Sequence, residues 1–349
     1  MTAYTMLLAP ACRTAPWGGR RLADEFGIEC DSITNETKDD AAETIPPDAD
    51  LIEPDTPDTK AAESNQPGIA EAWALSCHPD GRCRVKNGGY EGKTLAEVLS
   101  QHRDWMGAHA ANFSRFPVMV KLIDCERGTS VHVHPDDEYA ENLPDGQGKI
   151  DMWYIIDAAP DSEIIYGFCG ELTQEELRQR IESGALHEAL SYIPVKAGDI
   201  FTLEPGTVHA IGEGVLLCEI QQSANTVFRL DDFGRERELC IPEALDVAIT
   251  LPPTLPPGPP APPQLLESAT ITPIGVCDYF SASLMSVDGR THIAVGEESF
   301  VSAVIVGGGG KIFTDLETLE ASKGDSLFFP AGTGRVTFSG RLDAVITTI

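Results

Sequence analysis

His132 and His134 alternate with Val131 and Val133 in the run Ser130-Val131-His132-Val133-His134-Pro135-Asp136-Asp137-Glu138. In a strand, successive side chains leave opposite faces, so both imidazoles project from one side and both valines from the other. Two nitrogen donors so placed can reach a single ion while the valines pack behind them. A third histidine, His209, ends the unit Ala197-Gly198-Asp199-Ile200-Phe201-Thr202-Leu203-Glu204-Pro205-Gly206-Thr207-Val208-His209. That unit reads as a glycine turn, a short apolar strand, a Pro-Gly turn and the start of the next strand. Two carboxylates compete to complete the set. Glu138 follows His134 in the loop, and Asp151 lies on the strand Lys149–Ile156, where it shares a face with Trp153 and Ile155. Three imidazoles and one carboxylate suit Zn²⁺, and the same set also holds Fe²⁺ or Mn²⁺.

Other charges stand where apolar residues are expected. Lys121 interrupts the strand Phe116–Ile123, and a lysine there either snorkels or meets an anion. Glu71 shares a face with Trp73 and Leu75 by alternation, which makes it a rim group or a functional one. Glu219 lies on the inner face of the strand 214–221 with Val215, Leu217 and Gln221. Arg229 follows on the side that carries Val227. A buried Glu219–Arg229 ion pair is the purely structural alternative.

His-x-His on one strand and Gly…Pro-Gly-x-x-His further on form the two-part metal signature of cupin barrels. More specifically, the words WGG (17–19), VHPDDEYA (133–140), KIDMWYII (149–156), PGTVHAIG (205–212) and EIQQSANTVFR (219–229) occur in that order. Together they resemble the short bacterial form of the type I mannose-6-phosphate isomerase family, over roughly residues 6–30 and 68–250. The resemblance implies a jelly-roll barrel and a metal held by His132, His134, Asp151 and His209, with Asp151 preferred to Glu138. It also implies interconversion of mannose 6-phosphate and fructose 6-phosphate through an enediol-type proton transfer. Such chemistry needs a carbon base, stabilisation of the enediol oxygens and an anchor for the phosphate. Glu219 is the first choice for the base and Glu71 the second. Arg229 and Lys149, with Lys121 beside them, are the candidates for phosphate or enediolate charge, and Trp17 is expected to line the substrate cavity. The family usually carries glutamine where this chain has His132 and glutamate where it has Asp151, so the metal identity stays open between Zn²⁺ and Fe²⁺ or Mn²⁺. An Fe or Mn cupin oxygenase or lyase is one alternative, and a non-catalytic sugar-phosphate-binding cupin is another.

The elements that must position these groups read as all-β with a few short helices. Thr94–Met106 is a predicted helix with Leu95, Val98 and Leu99 as its stripe. Thr173-Gln174-Glu175-Glu176 is a capping box that opens a helix ending at Gly184. Residues 1–250 form the catalytic barrel. Within it, 31–66 is an acidic insert, with eleven acidic and two basic residues between Asp31 and Ser64, expected to be a mobile surface loop. The proline-rich stretch 251–264 reads as a linker. Residues 265–349 read as a second, degenerate cupin-like domain, because Lys323–Arg335 repeats the layout of 197–209 with Arg335 where His209 stands.

At 349 residues the chain can bury a full core. Its net charge of −30 argues against nucleic acid and anionic membrane surfaces as partners. The expected partner is a small sugar phosphate, with no obligate protein partner evident. Nine cysteines occur singly, with no C-x-x-C pair, which fits a reduced compartment better than a disulfide framework. The start lacks a basic leader segment and no apolar run approaches a membrane span, so a cytoplasmic protein is expected.

Overall fold

The computed structural model describes residues 3–30, 33–35, 68–254 and 257–349. In chain order the strands of the first half are β1 (Met6–Ala9), β2 (Ala11–Thr14), β3 (Ile33–Asn35), β4 (Glu71–Leu75), β5 (Arg84–Val85), β6 (Val118–Cys125) and β7 (Val131–Val133). They continue as β8 (Asp151–Ala158), β9 (Glu163–Phe168), β10 (Leu190–Pro194), β11 (Ile200–Leu203), β12 (His209–Ile211), β13 (Val215–Gln222) and β14 (Phe228–Asp231). The second half adds β15 (Gln264–Leu265), β16 (Ala269–Val276), β17 (Ser281–Val295), β18 (Val301–Phe313), β19 (Thr318–Ser322), β20 (Ser326–Phe329) and β21 (Gly334–Thr348).

Two sheets of the first half face each other. One runs β11-β8-β13-β6-β4-β2-β3 and the other β10-β9-β12-β7-β14. Between them, Ile123, Trp153, Ile155, Phe201 and Leu217 form an apolar cluster with Trp17. The outer face of the five-stranded sheet is covered by two helices, α4 (Gln174–Glu182) and α5 (Ile241–Val247), through Leu177, Ala244 and Leu245.

β6 shows why the seven-stranded sheet is buried on both sides. Val118, Val120 and Leu122 alternate outward into a cluster with Phe300 and Phe328 of the second half, while Lys121 and Ile123 point inward. The second half is a third sheet, β15-β16-β17-β21-β18-β20, which recruits β1 and β5 from the first half at its edge. β1 pairs with β20 from Met6↔Phe328 to Leu8↔Ser326. The architecture is therefore mostly β with five short α-helices among the described residues, as the sequence reading expects.

Both capping boxes are made: Thr94 and Glu97 start α2 (Leu95–Gln101), and Thr173 and Glu176 start α4. The helix expected over Thr94–Met106 stops at Gln101, and a 3₁₀ turn, Arg103–Met106, follows. Three expectations need correction. A bulge between Trp73 and Leu75 breaks the alternation of β4, so Leu75 packs with Ala72 and Ala74 instead of sharing the face of Trp73. Cys12 and Cys30 are joined in a disulfide, leaving seven free thiols; eighteen positions of sequence separation hid their adjacency. The third concerns the acidic insert 31–66, most of which lies outside the described residues. Its described part is not a loop, because Ile33–Asn35 forms β3, which pairs in parallel with β2.

Candidate metal centre

The site lies at the open end of the two facing sheets, and each sheet contributes a different chemistry. The five-stranded sheet supplies imidazoles. His209 on β12 is in register with His132 on β7, and Arg229 on β14 flanks His132 on its other side. The seven-stranded sheet supplies carboxylates and ammonium groups. Glu219 on β13 is in register with Lys121 on β6 and with Trp153 on β8, and Gln221 is in register with Asp151.

The ligand atoms of His132, His134 and His209 all lie within 4.8 Å of one another. Each imidazole has one nitrogen committed to a backbone carbonyl. Nδ1 of His132 is 2.7 Å from the Ser130 carbonyl, Nδ1 of His134 is 2.7 Å from that of Thr226, and Nδ1 of His209 is 2.8 Å from that of Thr207. A carbonyl only accepts, so Nδ1 carries the proton in all three rings and each Nε2 presents a lone pair. Nε2 of His209 is buried and has no hydrogen-bond partner. An orphaned acceptor in a protein interior is costly, and a cation answers it. Burial holds the His132 and His134 rings well below the usual histidine range, helped at His132 by the other two imidazoles and at His134 by Lys149. Burial also lowers His209, with Asp151 opposing the shift. All three are therefore neutral, the form that ligates metal.

Asp151 is completely buried, its Oδ2 lying 3.3 Å from Nε2 of His134 and 3.7 Å from Nε2 of His209. Ligands about 2.1 Å from one tetrahedral ion stand about 3.4 Å apart, so this spacing fits a shared ion. Lys149 contests the same groups. Its Nζ donates to both oxygens of Asp151 at 2.6 and 2.7 Å and lies 3.0 Å from Nε2 of His134. Glu138 sits on the exposed helix α3 (Asp137–Ala140), away from the cleft lining.

Trp17, Glu71, Lys121, Lys149, Glu219 and Arg229 all line the cleft with His132 and His134. Lys121 bridges two carboxylates, 3.5 Å from Glu71 and 3.3 Å from Glu219. Burial works against its charge, but Glu71, Glu219 and Asp151 outweigh that and raise its pKa, so it stays an ammonium. Each bridged carboxylate also has an indole: Trp73 donates to Glu71 at 2.6 Å and Trp153 to Glu219 at 2.9 Å. Glu219 and Arg229 do not form the ion pair that the sequence left open; Nε of Arg229 is buried without a partner. Sequence reasoning missed Asn225 and Arg237, which also line the cleft. Arg237 is held by Asp232 at 2.5 and 2.9 Å, and nothing in the mixed-charge run 231–238 marked it as different from a solvated loop.

A jelly-roll pair of sheets with a neutral imidazole triad and one buried carboxylate at its mouth defines a cupin with a metal-ready centre. Residues 49–154 match the family model of the catalytic domain of type I phosphomannose isomerase, and residues 270–349 match that of the mannose-6-phosphate isomerase cupin domain. Mannose-6-phosphate isomerase ManA of Bacillus subtilis is 32% identical over 354 residues, covering 99% of each chain. The crystal structure of the mannose 6-phosphate isomerase from Bacillus subtilis superposes with a TM-score of 0.82 at 30% identity, over the full length of both chains. A zinc-bound mannose 6-phosphate isomerase structure shares the fold at a TM-score of 0.73 and 16% identity, covering 99% of each chain. The chain belongs to the type I mannose-6-phosphate isomerase family.

Proposed function

We propose that this chain interconverts mannose 6-phosphate and fructose 6-phosphate and that His132, His134, Asp151 and His209 hold a zinc ion. The observation that carries the reading is the meeting of two half-sites: a neutral imidazole triad on one sheet faces an alternating ammonium–carboxylate wall on the other. A zinc-bound mannose 6-phosphate isomerase of the same fold supports the choice of ion. When bound, the ion would act as a Lewis acid toward sugar hydroxyl and carbonyl oxygens.

The chain's own groups supply the rest. Glu219 takes the proton from C2 of the open-chain aldose and returns it to C1 of the enediol. It is preferred to Glu71 because it also lies 4.0 Å from Lys149, next to the imidazoles. The ammonium of Lys149 gives a proton to the aldehyde oxygen as negative charge develops there, and recovers one from the hydroxyl on C2 as the ketone forms. Lys121, fixed between two carboxylates, stabilises the enediolate without leaving its place. The guanidinium of Arg229, with a nitrogen lacking any partner, anchors the phosphate, and Arg237 extends that pole. Trp17 closes the wall of the cleft.

In the same reading, residues 1–250 carry catalysis, 251–264 link, and 265–349 buttress the seven-stranded sheet. The substrate is a small sugar phosphate. No helix among the described residues is long and apolar enough to cross a membrane. Seven free thiols fit cytoplasmic residence, and the Cys12–Cys30 disulfide counts against it. The deciding experiment is a coupled assay of mannose 6-phosphate turnover on chelator-stripped protein with Zn²⁺, Mn²⁺ or Fe²⁺ added back. Zinc is expected to restore turnover. Folded protein that takes up metal yet turns over nothing with any ion would overturn the reading.

A further inference from the structure

Between β13 and β14 the chain crosses from one sheet to the other over Ser223–Val227, and ladder hydrogen bonding stops there. Backbone that leaves a ladder inside a protein must find partners elsewhere. Here a side chain from a distant loop provides them. Oδ2 of Asp145 accepts from the backbone N–H of Asn225 at 2.7 Å and from the hydroxyl of Thr226 at 3.1 Å. Oδ1 of Asp145 lies 3.0 Å from Nε2 of His78. The backbone N–H of Asp80 donates to Nδ1 of His78 at 3.2 Å, so Nδ1 is the acceptor and Nε2 carries the proton given to Asp145. The His78 ring is buried, edge-on to Trp73. Asp80 adds a second hold, accepting from the Asn225 amide at 2.9 Å.

The clamped segment is the one that orients a metal-facing ring. The Thr226 carbonyl accepts the Nδ1 proton of His134. The triad contains its own control in this respect. His132 and His209 each donate to a carbonyl only two residues earlier in the chain, Ser130 and Thr207, and carry their orientation with them. His134 depends on a carbonyl ninety-two positions away, in a segment with no ladder of its own.

We propose that His78 and Asp145 are positioning residues. They fix the 223–227 crossover so that the Thr226 carbonyl holds His134 as the Nδ1–H tautomer with Nε2 aimed at the triad. Neither residue lines the cleft. The inference rests on the metal reading for its purpose, but not for its test.

The test uses the full chain and two variants, Asp145→Asn and Asp145→Ala. An amide at position 145 turns its NH₂ toward either the Asn225 N–H or the His78 Nε2–H, and so creates a donor–donor conflict in a site of nearly unchanged shape. The first measurement is the long-range ¹H–¹⁵N spectrum of the imidazoles in chelator-treated protein. His134 is expected to lose its single tautomer in both variants while His132 and His209 keep theirs. The second is zinc affinity by chelator competition, expected to fall about 10- to 100-fold in Asp145→Ala and less in Asp145→Asn. A folded variant with the His134 tautomer unchanged and zinc affinity within twofold of wild type would overturn the proposal. If Asp145→Ala does not fold, Asp145→Asn decides alone on the same two readouts. Wild-type protein that binds no zinc would defeat the metal reading, and the tautomer spectra would still decide the clamp.

Discussion

The two halves of the molecule lay out the same local plan and fill it differently. In the first, left-handed glycines at Gly198 (φ 92°) and Gly206 (φ 85°) bracket β11, and His209 opens the next strand. In the second, Gly324 (φ 98°) and Gly332 (φ 78°) bracket β20 in the same way, and Arg335 stands where His209 does. The partners across the ladder differ more than the turns. His209 faces His132, whereas Arg335 faces Ala294. Inside the first half stand buried imidazoles, carboxylates and ammonium groups; inside the second, Leu327, Phe329, Val336 and Phe338 close the space with no polar group among them. A turn plan thus specifies a fold, while the residues that point inward decide whether it holds an ion or only packs.

The largest effect should come from the position at which the halves diverge. His209→Ala removes an acceptor that nothing else replaces and should abolish stoichiometric zinc binding, with turnover falling at least about 10³-fold. Arg335→Ala, at the matching position, should leave both unchanged in metal analysis and the coupled assay. A zinc requirement that survives His209→Ala would erase the distinction. Next in size is Lys149→Met, which removes the cation that contests Asp151 and His134. Turnover should drop about 10²- to 10⁴-fold as an acid–base group is lost. Zinc affinity should rise, because two positive charges no longer compete for one carboxylate. A fall in zinc affinity would mean that Lys149 supports the ion instead of contesting it.

The second half should answer to packing alone. Phe338→Ala opens a hole against Phe329 in an apolar cluster, and should cost about 3–5 kcal/mol in urea unfolding. Turnover per folded molecule should stay within about twofold at temperatures where the protein remains folded. A large loss of turnover without loss of stability would show that the second half reaches into the chemistry.

Much of this was legible in residue order, for physical reasons. Alternation placed His132 with His134, Lys121 opposite its apolar neighbours, and Glu219 on an inner face, because the period of a strand is fixed. The capping boxes at Thr94 and Thr173 were equally local. What stayed hidden depends on long-range closure. The bulge that turns Leu75 away from Trp73, the Cys12–Cys30 bridge, and the recruitment of β1 into the far sheet leave no mark within a short window. His78 and Asp145 carry no motif at all. They matter only because the fold brings three loops from distant parts of the chain to one irregular crossover. Lys149 was assigned to the substrate, although alternation already puts it on the face of Asp151, two residues on, where its ammonium turns onto that carboxylate.

The smallest expected effect concerns that crossover and is seen in acid. Burial alone would raise the Asp145 carboxyl, but hydrogen bonds from His78, Asn225 and Thr226 outweigh it and hold the group at about 2, against an ordinary 3.8. A carboxylate depressed in the folded state adds stability that is complete above its unfolded value and disappears as pH falls through its folded one. Its share should therefore be full above about pH 4 and vanish on approach to pH 2. Asp145→Asn has no proton to exchange there. The gap in urea-unfolding stability between wild type and Asp145→Asn should close as pH falls from about 4 toward 2, the window in which the Asp145 carboxylate takes up its proton. A gap that persists unchanged at pH 2 would mean that the donor–donor conflict of the amide, and not the loss of the carboxylate's charge, sets the difference at position 145.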